Sequence, residues 1–167
     1  MKHIRLKIAV ALMLTVVTPV LADSASTTRQ EILATLNIRD QAYAHGNLIA
    51  YLQTYSPSWT VVDVSGIAAN YKKLAAGAAQ MFATDPADTK NGLRSQLRSL
   101  TITNHGVEAI IVSRLVYPRK HTKVGTVYVY RTITSDDVWA KNNHTWQEQS
   151  GHYLQDQVTY SVKPLAE

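Results

Sequence analysis

His152 and Asp63 are the two side chains in this sequence best suited to moving a proton. His152 lies in "WQEQSGHYLQDQVTYSV", residues 146–162, which reads as a long strand. Every second residue from Trp146 gives Trp146, Glu148, Ser150, His152, Leu154, Asp156 and Val158, the set that holds most of the apolar side chains. That set should face the interior, and an imidazole held there among apolar neighbours can act as acid or base near neutral pH. Asp63, in "WTVVDVSG", alternates with Trp59 and Val61. If that set faces inward, burial raises its carboxyl toward the range of a general base. The alternative is an Asp that closes a turn, because Ser65-Gly66 follows at once.

Glu148, Ser150 and His152 cannot form a triad along one strand. At roughly 3.3 Å per residue the outer two stand about 13 Å apart, so partners for His152 must come from other elements. Asp137 is one such group. If Asn142-Asn143 makes a two-residue turn, Asp137 falls opposite Glu148. Two facing carboxylates repel, and one keeps its proton. Tyr43, on the apolar side of a helix, and Tyr128, in a central strand, are the hydroxyls best placed to orient a ligand oxygen. Trp59 and Trp146 supply apolar wall. The ligand-binding candidates are thus Tyr43, Trp59, Tyr128, Asp137, Trp146, Glu148 and Ser150.

No His-x-x-x-His or Glu-x-x-His spacing, calcium loop, phosphate loop or dinucleotide glycine pattern occurs, so no metal or cofactor is expected. The chain has no cysteine, which excludes disulfides and thiolate chemistry.

The elements that must position these groups follow from the patterning. Lys2, Arg5 and Lys7, then "IAVALMLTVV", then "VLA" before Asp23 have the form of a secretory signal peptide over residues 1–22, whose apolar run is too short to span a membrane. Residues 23–167 form one domain, expected to be periplasmic or secreted with no membrane span after cleavage. The formal charge of +5 shrinks to a slight positive excess once the three leader cations are removed. No basic run exceeds "PRKHTK", so nucleic acid is not an expected partner.

"TRQE" at 28–31 has the capping-box form, and Ile32, Leu36, Arg39 or Asp40, and Tyr43 follow at helical spacing. A short helix over "LIAYLQTY", a strand over "WTVVDV" and an Ala-rich helix ending at Asp85-Pro86 come next. From Leu93 β-branched and aromatic residues dominate. Turns fall at Asn104-His105-Gly106, near Pro118 to Lys123, and at Asn142-Asn143. The order predicts an α+β domain with helices on one face of a curved antiparallel sheet.

"AYAHGNLIAYLQTYSPSWTVVDVSG" and "DDVWAKNNHTW", in this order and spacing, resemble the small bacterial branch of the nuclear-transport-factor-2-like superfamily, with its SnoaL-like and ketosteroid-isomerase-like members. The resemblance covers about residues 28–162. Two departures stand out: the turn is Gly46-Asn47 rather than Gly-Asp, and extra sequence enters before Asp136. It implies a cystatin-like cone, with three N-terminal helices on the concave face of the sheet, a cavity between the layers and, in many members, a homodimer. It implies no particular reaction. The expectation is an exported protein binding a small apolar or amphipathic molecule. The alternatives are a cofactor-independent isomerase or lyase, with His152 or Asp63 moving the proton, and a structural partner in a periplasmic assembly.

Overall fold

The computed structural model describes residues 19–83, 92–122 and 125–162. Helix α1 runs Pro19–Ala44 and α2 Leu48–Leu52; strands β1 (Tyr55–Val62) and β2 (Ala68–Asn70) precede helix α3 (Tyr71–Phe82). Four long strands follow: β3 (Leu93–Thr103), β4 (Gly106–Thr122), β5 (Gly125–Asn142) and β6 (Thr145–Ser161). They form one curved six-stranded sheet in the order β2-β1-β6-β5-β4-β3, with the helices packed on one face.

Several boundaries differ from expectation. α1 begins nine residues before Thr28, so the capping-box sequence lies inside the helix and the helix runs through the expected processing point. β5 is a single 18-residue strand, in which the β-branched run "GTVYVYRTI" and the separate segment "DDVWAK" that the sequence offers are continuous. The sheet is mixed, because β1 pairs parallel with β6 while every other pair is antiparallel. Parallel neighbours require a long crossover, and here the whole β2–α3–β3–β4–β5 segment supplies it. The helix end at Asp85-Pro86 and the leader before Pro19 lie outside the described residues; of the turn near Pro118 to Lys123, β4 takes up the chain through Thr122.

The local causes are ordinary. Asn47 caps α2 by accepting the Ala50 amide, and Asn70 caps α3 by accepting the Lys73 amide. The β5–β6 hairpin turns on Asn143 and His144, both with positive φ (47° and 67°), one residue later than expected. This is the backbone twist a two-residue hairpin favours, and Asn adopts it readily.

The interior has a solid end and a hollow end. Ile32 and Leu36 of α1 pack on Leu97, Val107, Ala109, Ile111 and Trp139, all buried. At the other end Tyr43, Tyr51, Tyr55 and Trp59 form a chain of tilted or edge-on aromatic contacts with centroids 5.4–5.9 Å apart, and Phe82 closes on Tyr43 and Tyr51 at 5.3 and 5.5 Å. There α3 stands off the sheet.

Candidate functional site

Two bulges in β6 decide which side chains meet. Val138 pairs with Ser150 but Trp139 with Glu148, leaving Gln149 as an extra residue; Thr134 pairs with Gln155 but Ser135 with Tyr153, leaving Leu154 as another. Each extra residue inverts the side-chain alternation beyond it. Glu148 and Asp156 therefore share the concave face with Gly151 and Tyr153. Ser150 and His152 are turned to the opposite face, where His152 is exposed and pairs with exposed Asp136.

The expectation that the imidazole enters the cavity is thus corrected, and the cause is an unseen pair of bulges. Asp63 is also corrected. It lies half-buried in the turn after β1, where its Oδ1 accepts the Ser65 amide, the Ser65 hydroxyl and the Ile67 amide at 2.9, 2.6 and 2.9 Å. Those donors hold its carboxyl below the usual range, the opposite of a poised base. Tyr128 shares the outer face of β5 with Asp136, opposite the face that lines the hollow. Trp146 packs beside α1 and donates its Nε1 to Glu31 Oε2 at 2.7 Å. Tyr43 is wholly buried and donates its hydroxyl to Met81 Sδ at 2.8 Å, so it supports the wall from behind.

Trp59, Asp137 and Glu148 do converge, together with Arg39, which the sequence placed ambiguously in the apolar stripe of α1. Glu148 (5% exposed) accepts Arg39 Nη1 on Oε2 at 2.8 Å and Trp59 Nε1 on Oε1 at 2.7 Å. Arg39 (4% exposed) also donates to Tyr55 Oη and Ser95 Oγ at 3.3 Å each, and its guanidinium lies over the rings of Tyr55 and Trp139 at 5.5 and 5.7 Å. Tyr51 and Tyr55 hydroxyls are 3.2 Å apart.

Asp137 (3% exposed) accepts the Ser135 hydroxyl at 3.0 Å. Burial, then the neighbouring Glu148 charge, pushes its carboxyl well above the ordinary range, with Arg39 and Ser135 offsetting only in part. Burial also raises Glu148, but Arg39 and Trp59 oppose that shift by bonding its charged form. The pair therefore shares one charge, held on Glu148, while Asp137 keeps its proton.

These groups line a small inner chamber of about 80 Å³ together with Ser113 and Tyr153. Tyr51, Leu74, Leu115, Ile133 and Tyr153 line both this chamber and an adjoining outer cavity of about 500 Å³. The outer walls come from Gly77, Ala78 and Met81 of α3 and Tyr117 of β4, with Lys73, Gln80 and Arg131 supplying polar groups. Such a volume suits a small organic ligand. A neutral carboxyl below it can donate a hydrogen bond or a proton. Among the described residues no three His, Asp or Glu side chains gather as a metal site.

No protein-family model and no curated protein matches the sequence. Solved structures do match. An NTF-2-like protein of unknown function from Shewanella oneidensis is 18% identical with a TM-score of 0.51, over 75% of this chain and 98% of that one. A conserved protein from Planctomyces limnophilus is 7% identical with a TM-score of 0.61, over 81% and 99%. A protein named as a candidate scytalone dehydratase from Novosphingobium aromaticivorans is 9% identical with a TM-score of 0.54, over 87% and 93%. The chain has the nuclear-transport-factor-2-like fold, as its sequence resemblance implied. At these identities the likeness speaks for architecture alone.

Proposed function

We propose that this is a small-molecule-binding protein whose ligand occupies the outer cavity, next to the buried chamber that holds Asp137. The observation that carries the reading is the two-tiered hollow itself: an apolar-walled chamber of about 500 Å³ ending on a buried, hydrogen-bonding floor. A filled structural core has no use for a carboxylic acid held neutral beside an ion pair, because replacing such groups with apolar ones is often neutral or stabilising.

The same acid favours one second reading, a cofactor-independent isomerase or lyase in which Asp137 moves the proton. His152 and Asp63 have no part in it, since neither faces the cavity. One structural neighbour, 9% identical, is named as a candidate scytalone dehydratase.

Export to the periplasm or beyond belongs to the proposal and is supported by the basic-then-apolar leader. Pairing of two copies, or docking into an assembly, would use the outer sheet face, where Ile110, Val112, Val116 and Val138 are half-buried. Native mass spectrometry of protein purified from its own compartment tests the central point. A retained small molecule is expected; protein that stays ligand-free there and in incubation with metabolite extract would contradict it.

A further inference from the structure

The charges around the hollow are segregated. Among the described residues the outer cavity is lined by two cationic side chains, Lys73 and Arg131, and by no carboxylate, whereas the inner chamber has two carboxyl groups against the single cation Arg39. Arg131 is partly neutralised. Its Nε and Nη2 donate to the two oxygens of Asp156 at 2.8 and 2.6 Å, while Nη1 is directed to the Tyr117 hydroxyl at 3.5 Å. Lys73 is exposed on α3 and makes no direct ion pair among the described residues. Asp63 is near enough for Lys73 to stabilise its charge, but its Oδ1 is committed to its own turn. Among the described residues the outer tier therefore carries one excess cation, Lys73, whereas Arg39 in the inner chamber is already paired with Glu148.

Resting on the binding reading above, we propose that the ligand is an amphipathic organic anion, seated with its apolar body in the cavity and its acidic head at Lys73 and Arg131. The opposite orientation would bury an anion beside Glu148 where the one cation, Arg39, is already paired with that carboxylate, so its desolvation would go without a free counter-charge. A cationic amphiphile would meet the two cations on entry. An uncharged one gains nothing from them.

The test uses phenylnaphthylamine, a neutral fluorescent probe, displaced in turn by decanoate, decanol and decylammonium, with the full folded chain at low salt. A β-carbon at Gly77 meets nothing within 4 Å and the residue lines the outer cavity, so Gly77→Phe is the variant chosen to occupy that space. Probe binding that Gly77→Phe abolishes establishes the cavity as the site. Decanoate is then expected to displace the probe at the lowest concentration. Lys73→Gln should weaken decanoate about threefold to fivefold, Lys73→Glu more, with decanol unchanged and the Lys72→Gln control silent. Added salt should weaken decanoate alone.

If the probe binds in the cavity but decanoate and decanol compete equally, or Lys73→Gln changes nothing, the anion proposal falls and the binding reading stands. If the probe does not bind, or binds Gly77→Phe equally well, both fall.

Discussion

Gly151 stands directly across β5 from Asp137, and a β-carbon at 151 would lie 2.7 Å from Asp137 Oδ1 and 3.5 Å from Glu148 Oε1. The two carboxyl groups thus converge on the one residue of β6 that has no side chain. Its φ is not positive, so the glycine is needed there for space rather than for an unusual backbone.

Gly151→Ala should therefore force the Asp137 carboxyl to rotate out of its bond with Ser135 or push β6 away. The expected cost is about 1–3 kcal/mol, the range for overpacking a buried site, read as a lower midpoint in urea with an unchanged slope.

Asp137 gives the fold a pH dependence of definite sign. Its native carboxyl titrates above the unfolded value of about 3.9, so the native state binds the extra proton and stability falls as pH rises from about 4 through the native value. Over that window the slope contributed by this group approaches about 1.4 kcal/mol per pH unit. Asp137→Asn keeps the shape and removes the titration. Denaturation across pH should show the variant flatter than the parent, and more favoured relative to it at neutral pH than at pH 4; parallel curves would place an ionised carboxylate at this position.

Removing Arg39 strands its partner. Arg39→Met leaves Glu148 buried with only the Trp59 indole as donor, and a loss of about 3–5 kcal/mol is expected. Adding Glu148→Gln should recover much of it, because the neutral amide no longer needs a counter-charge. A double-mutant cycle by thermal or chemical denaturation reads the coupling.

His152→Ala should be nearly silent, within about 0.5 kcal/mol in stability, with ligand affinity unchanged, since the ring is exposed on the outer face. Asp63→Asn, which weakens the acceptor of three turn bonds, should cost about 1 kcal/mol of stability and likewise spare affinity.

The fold was legible because its signals are long-range and redundant. β-branched and aromatic runs mark the strand-rich part from Leu93 onward, and the alternation along β5 never breaks, so the inward place of Asp137 follows from the same period as that of Trp139. The site was legible only in part. Glu148 lies before the first bulge of β6, where the apolar alternation still holds; Ser150, His152 and Tyr153 lie between the bulges, where every side chain is inverted. Neither Gln149 nor Leu154 has a composition that announces an inserted residue. Arg39 did leave a trace, as a cation at the i+3 position of the stripe Ile32, Leu36, Tyr43, and only the packing of Glu148 against it shows why it is tolerated there. Asp63 illustrates the reverse case, in which the following Ser-Gly pair already described the turn that claims its carboxylate.

Gly77 interrupts the Ala-rich run of α3 at the wall of the outer cavity, although glycine costs a helix roughly 0.5–1 kcal/mol relative to alanine. The most direct test of the account compares small molecules retained by the parent and by Gly77→Phe, purified in parallel and measured by native mass spectrometry alongside their unfolding midpoints. The account predicts bound ligand on the parent, none on Gly77→Phe, and a variant at least as stable. Equal retention on both, or an empty parent, would contradict it.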